Sequence, residues 1–291
     1  MSKVSILIPA RNEPFLYKTV QDIVTKATGD IEIIVAFDGE PYTSLPNYEN
    51  LIRLELQQMG TKPILNIAAK KASGKYLLKT DAHCMFAEGF DETLQADMED
   101  NWVVMPRFYV LNAEKWEWQD ARFYDYFKLP CPLTDPRMFR FQAGGHWPER
   151  TRERLSIPID ENMKLHGSSF FMSKDFYIHC LGGLNSMGAG TWSGEDIEIS
   201  LKTWLGPWDG KVMVNKNTWY AHMHKGREHP RGWNVSYSDI NSSYLWTAHY
   251  WMANEWAERK HDIEWLIDRF SPVPTWPENW KDLYEEWKRN G

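Results

Sequence analysis

Apolar and polar positions in the first hundred residues alternate between two periods. Residues 4–9 are an apolar run of strand length, followed by Asn12-Glu13-Pro14, a helix-start signal. Leu16, Val20, Ile23, Val24 and Ala27 then recur at helical spacing until Gly29 stops the helix. Residues 31–37 form a second β-branched run, 51–56 predict a strand, 63–72 a helix and 76–79 a strand. Strands alternating with helices predict an α/β fold with a mainly parallel, doubly wound sheet, whose ligands lie beyond the carboxyl ends of the strands. Those ends read Pro9-Ala10-Arg11-Asn12-Glu13, Asp38-Gly39 and Thr80-Asp81-Ala82-His83.

Beyond a predicted strand at 102–108, residues 109–165 lose periodicity and carry Arg137, Arg140, Arg150, Arg152 and Arg154 among many aromatics. This stretch reads as a functional loop or small insertion. Alternation returns at 168–172, a helix is expected from about Trp192 to Trp204, and two strands at 211–215 and 219–224. Residues 236–287 read as helices punctuated by Pro272, Pro274 and Pro277. The expected division is a catalytic domain over 1–232 and a helical extension over 233–291.

Composition narrows the class. The 291 residues carry 33 basic and 40 acidic side chains, a net charge of −7, and 43% hydrophobic content, as in an ordinary globular protein. No apolar run reaches the roughly 18 residues of a membrane span, and no signal-peptide core follows Met1. Cys84, Cys131 and Cys180 match neither a disulfide framework nor a zinc set, so a reducing cytoplasm is expected. The acidic balance argues against broad nucleic-acid binding, although a local basic face is compatible with it. Twelve of the 16 Trp lie at or after Trp192, a clustering that suits helix packing better than sugar stacking for most of them.

Three groups carry candidate chemistry. Asp81 and His83 leave a strand end with a carboxylate and an imidazole suited to a hard divalent cation, and His222-Met223-His224 supplies further imidazoles at a second strand end. Asp38 is placed to accept hydrogen bonds from a base or ribose, or else simply to make a turn before Gly39. In Trp192-Ser193-Gly194-Glu195-Asp196, two carboxylates open a helix, where the dipole favours their ionised forms and either is a candidate general base, or a plain helix cap.

In order, Ile8-Pro9-Ala10-Arg11-Asn12-Glu13, Asp38, Asp81-Ala82-His83-Cys84, Trp192-Ser193-Gly194-Glu195-Asp196-Ile197-Glu198 and His222 resemble the catalytic domain of polypeptide N-acetylgalactosaminyltransferases, glycosyltransferases of the GT-A fold. The resemblance covers about residues 3–225. It implies a Mn2+ (or Mg2+) ion on Asp81, His83 and His222, and a UDP-sugar donor held by Pro9, Arg11, Glu13, Asp38, Lys62, Asp81 and Trp192. It also implies transfer to a hydroxyl acceptor, with Glu195 and Asp196 as the catalytic carboxylates. Three positions depart from the pattern. The family's donor-binding arginine is unmatched, with Lys62 the nearest cation. Asp196 replaces an asparagine, and Gly-Glu-Asp is similar instead to inverting galactosyltransferases, where that aspartate is the base. The tail after Trp233 lacks the cysteine pairs of a lectin domain. A saccharide, metabolite or protein is the expected acceptor. A hydroxylated base in nucleic acid, contacted through the arginine cluster and through Lys225, Arg227 and Arg231, is the alternative, and a nonenzymatic sugar-nucleotide-binding module is the third reading.

Overall fold

The computed structural model describes every residue except 40, 42–44, 138, 142–144, 186, 187, 189, 191–193, 227, 228, 235 and 291. Trp192 and Arg227 lie outside the described residues.

The elements run β1 (Val4–Ala10), α1 (Leu16–Lys26), β2 (Ile31–Asp38), β3 (Leu51–Leu56), α2 (Thr61–Lys71), β4 (Tyr76–Thr80), β5 (Cys84–Phe86), α3 (Phe90–Ala96), β6 (Trp102–Asn112) and β7 (Glu117–Tyr124). They continue with α4 (Pro148–Glu153), β8 (Ile159–Glu161), β9 (Ser169–Ser173), α5 (Glu195–Leu205), β10 (Lys211–His222), α6 (Tyr237–Met252), α7 (Ile263–Phe270) and α8 (Trp280–Asn290). One sheet holds them in the order β3-β2-β1-β4-β9-β6-β10-β5, with β7 on β6 and β8 on β10. The α/β alternation expected from the sequence builds the parallel run β3-β2-β1-β4, and β6 and β10 are also parallel. Past β4 the sheet turns mixed, because β9 enters antiparallel between β4 and β6.

The burial pattern explains which elements were legible. Every residue of β2 is buried, as in a parallel strand covered on both faces, and α1 buries Leu16, Thr19, Val20 and Ile23 at helical spacing. In contrast, β7 is exposed along six of its eight residues, so it has no apolar alternation to announce it. Residues 109–165 are thus part regular and part irregular: they extend β6, add β7 and β8 to the sheet and carry α4, with an irregular stretch between Tyr124 and Pro148. The two strands expected at 211–215 and 219–224 are one strand, β10, whose register on β6 shifts between Asn215 and Trp219.

The tail packs on the same apolar core as the sheet. Trp251, Trp256, Trp276 and Trp280 are buried in a cluster continuous with Trp204 and Leu205 of α5. The carbonyl of Leu205, at the end of α5, accepts from the backbone N–H groups of Lys260 and His261, and Trp276 Nε1 donates to the Leu129 carbonyl at 2.8 Å. Most of the tail tryptophans are thus packing residues. Among the described residues, no helix is long and apolar enough to cross a membrane.

Candidate active site

Strand register assembles the site. Parallel pairing sets Ala10 opposite Phe37, so the next residues, Arg11 and Asp38, emerge side by side, with Arg11 Nη1 3.7 Å from Asp38 Oδ2. Leu7 pairs with Lys79, which brings Asp81 level with Pro9. On the other side, β10 runs antiparallel to β5 with His222 opposite Cys84, placing His222 beside His83. These ends open on a cavity of about 340 Å³, lined by Pro9, Arg11, Glu13, Asp38, Asp81, His83, Glu195, Asp196 and His222.

Asp81, His83 and His222 each offer one ligand atom, all within 4.8 Å of one another. Asp81 Oδ2 lies 3.2 Å from His222 Nε2 and 3.9 Å from His83 Nε2. Burial alone would raise the Asp81 pKa, but Lys79, His222 and His83 outweigh it and hold the carboxyl well below its ordinary range. Burial lowers His222 to about 4 against the pull of Asp81, so its imidazole is neutral at physiological pH. Glu13 accepts from His83 Nδ1 at 3.1 Å and is paired with Lys225. Burial would raise Glu13, yet His83 and Lys225 keep it lowered and ionised; an ionised carboxylate only accepts, so His83 donates through Nδ1 and turns Nε2 towards Asp81.

This group fits a divalent cation. Among the described residues neither ring nitrogen of His222 makes a hydrogen bond, although both are buried, and the set of two imidazoles and a carboxylate suits a first-row divalent cation such as Mn2+ better than a soft metal.

The two carboxylates at the start of α5 have unlike surroundings. Asp196 is 5% exposed and its Oδ2 accepts from the ammonium of Lys164, itself 1% exposed. Glu195 has no such bond; its nearest cation is Lys79, 4.0 Å from Oε1. Burial raises the Glu195 pKa, Lys79 opposes it, and the neighbouring Asp196 adds to the rise. The expectation that the helix dipole keeps both carboxylates readily ionised therefore does not describe Glu195, where desolvation outweighs it.

The remaining site residues divide. Asp38 accepts from the backbone N–H groups of Met59 and Gly60 through Oδ1, so it is a turn anchor, and it also faces the cavity beside Arg11. The Arg11 guanidinium lies 4.9 Å above the Trp233 ring. Lys62 does not line the large cavity; it is buried on α2 and turned to Glu198, 3.4 Å away, and to the Asn185 carbonyl. His224 lines the cavity, but only His222 belongs to the ligand cluster. Within the arginine cluster, Arg154 pairs with Asp160, Arg140 bonds to Asp135 and Asn241, and Arg150 packs over Tyr126, Trp147 and Phe270. Those cations are committed to the fold, and Lys225 is committed to Glu13.

Sequence reasoning missed the two buried lysines. Lys79 Nζ donates to Asp81 Oδ1 at 2.6 Å and to the Gly167 carbonyl. Its signal was present, since a lysine two residues before Asp81 on one strand shares its face. Lys164 sends none, because it lies outside any regular pattern.

Residues 5–177 match the family described as glycosyl transferase family 2. The chain belongs to this family. Among curated relatives it is 22% identical over 274 residues to "Polypeptide N-acetylgalactosaminyltransferase 5" of Caenorhabditis elegans, covering 87% of this chain and 42% of the relative. It is 25% identical to "Polypeptide N-acetylgalactosaminyltransferase 11" of Xenopus tropicalis, covering 85% of this chain and 42% of that protein. The chain thus spans less than half the length of these two relatives. The solved structure "GalNAc-T7 with UDP, GalNAc and Mn2+" superposes with a TM-score of 0.65 at 18% identity over 99% of this chain and 55% of its own. S. aureus TarS 1–349, solved in complex with UDP-GlcNAc, gives 0.51 at 14% identity over 82% of this chain and 63% of its own. These likenesses establish the GT-A fold expected from the motifs.

Proposed function

We propose that this family member moves a sugar from a UDP-sugar to a hydroxyl-bearing acceptor, with Mn2+ or Mg2+ held by Asp81, His83 and His222. The observation that carries this reading is the convergence of those three side chains, within 4.8 Å, on the cavity that Glu195 also lines. Two similar structures, one with UDP, GalNAc and Mn2+ and one with UDP-GlcNAc, lend support. When bound, the cation supplies charge neutralisation to a departing diphosphate.

The protein's own groups have separate tasks in this reading. Lys79 anchors one oxygen of Asp81 so that the other faces the imidazoles, and Glu13 fixes the orientation of the His83 ring. Arg11, Asp38 and Trp233 form the wall for the nucleoside end. Glu195 meets the acceptor hydroxyl, because Asp196 is already engaged by Lys164. Inversion requires Glu195 as base and retention does not, so the anomeric configuration of the product, read by NMR, separates the two. A saccharide or metabolite is the favoured acceptor over nucleic acid, since Arg140, Arg150 and Arg154 are spent on internal contacts. We further propose residues 1–232 as the catalytic unit with 233–291 as its closing extension. A cytoplasmic setting is part of the reading, supported by three free thiols.

The test is UDP release from a panel of UDP-sugars with manganese, with a chelator, and with acceptor pools. Release that needs the metal and rises with acceptor is expected; equal turnover in chelator overturns the metal assignment.

A further inference from the structure

A second recess, of about 70 Å³, lies behind Gly194, and Gly194 lines both it and the main cavity. Its φ of +75° suits glycine, and a Cβ there would point at the Thr247 hydroxyl, 3.8 Å away. Helix α6 runs along both spaces: Tyr244 borders the main cavity, while Thr247 and Trp251, three and seven residues on, border the recess.

The recess has the makings of a binding site. Thr247 is 3% exposed, and its hydroxyl has no hydrogen-bond partner among the described residues. A buried hydroxyl is costly in that state, so this one is open to a ligand group or a water. On the floor, Glu198 holds Lys202 at 2.8 Å and Lys62 at 3.4 Å, fixing donors and an acceptor in place. One wall is aromatic: the rings of Trp246 and Tyr250 stack with centroids 4.7 Å apart. Fixed charged groups opposite aromatic surface suit a molecule with hydroxyls on one side and C–H groups on the other. The volume holds about five waters, which matches one edge of a sugar ring and is too little for a nucleobase with its ribose.

We propose that this recess is an acceptor subsite for carbohydrate, taking the sugar next to the one that bears the accepting hydroxyl. The inference rests on the transferase reading above. Glu195, adjoining Gly194, is the group that meets the acceptor, so an acceptor ring held there lies next to the residue that the two spaces share. The acceptor is accordingly a glycoside of at least two sugars.

The experiment compares lactose, maltose, cellobiose and chitobiose with the methyl glycosides of their nonreducing sugars as acceptors for the full chain. At least one disaccharide is expected to exceed its monosaccharide about tenfold in kcat/KM, and Thr247→Val and Trp246→Ala are expected to bring that ratio towards one. Saturation-transfer NMR on the same disaccharide gives a readout without turnover, and its signal is expected to fall in both variants. UDP release in which no disaccharide beats its monosaccharide overturns the subsite and leaves the transferase reading standing. A selectivity ratio unchanged in Thr247→Val, together with a raised Tm, marks the recess as a water-filled packing defect and also overturns it. No UDP release from any donor, by contrast, overturns the transferase reading itself.

Discussion

Two neighbouring groups of ionisable side chains face one cavity, and they differ in how far the protein satisfies them. At the strand ends, His222 is buried with both nitrogens lacking hydrogen bonds among the described residues, beside an Asp81 held ionised. At the start of α5, Asp196 is locked to a buried ammonium, while Glu195 lies 4.0 Å from the nearest described ammonium, that of Lys79. Buried polar groups left unsatisfied are expensive and are retained where something else completes them. The first group is therefore organised to receive a ligand, and the second to hold one carboxylate rigid while the other meets substrate.

The largest effect expected from this contrast is at the strand ends. Asp81→Asn and His222→Ala should each lower UDP release about a thousandfold, the equivalent of several kcal/mol of lost charge stabilisation, with manganese binding lost by calorimetry. His224→Ala should leave manganese binding in place, because His224 stands outside the ligand cluster. A His222→Ala protein that still binds the metal would break the contrast.

On α5 the two carboxylates should separate. Glu195→Gln should cost at least the roughly hundredfold typical of a positioned base or acceptor-orienting group. Asp196→Asn should act first on stability: it leaves the Lys164 ammonium buried without its partner, a loss of about 3 to 5 kcal/mol that urea denaturation will read and that adding Lys164→Met should largely restore. If Asp196→Asn folds like the parent and loses more turnover than Glu195→Gln, the two roles are exchanged.

A smaller effect sharpens the account of the strand ends. Glu13 reaches the metal-type residues through His83, so Glu13→Gln should weaken manganese affinity by about 10- to 100-fold while turnover recovers at saturating metal. Turnover that stays low at saturating manganese would place Glu13 in contact with substrate.

The first group was largely legible in the sequence, because Asp81-Ala82-His83 follows a recognisable apolar strand. What puts His222 there was not: it is the antiparallel pairing of β10 with β5, a three-residue strand too short to show any period. The α5 group was legible as residues and not as chemistry. Nothing in Gly-Glu-Asp reveals that a lysine 32 residues upstream occupies Asp196. Lys62 shows the same limit from the other side. It stands nearest in sequence to a family arginine, while its helix face turns it to Glu198, a partner that adjacency along the chain does not reveal. Composition did anticipate the tail, where clustered tryptophan is mostly core.

The smallest expected effect is a gain, and it tests the α5 contrast without any turnover. Burial raises the Glu195 pKa above its ordinary 4.5, so the native state holds that proton more tightly than the unfolded chain does. As pH rises past about 4.5 the unfolded chain ionises first, and stability falls until Glu195 ionises in the folded state too, above which the loss is constant. At pH 7 the native protein carries the full penalty, offset in part by Lys79 at 4.0 Å. Glu195→Gln removes the penalty. With chelator present throughout, its Tm should exceed the parent's by roughly 1 to 3 °C at pH 7, with the difference shrinking as pH falls towards 4.5, where both states hold the proton. Asp196→Asn should move the opposite way at pH 7, because there the charge lost is one half of a buried pair. A fall in Tm for Glu195→Gln would mean that Lys79 outweighs desolvation, and that Glu195 is as firmly held as Asp196.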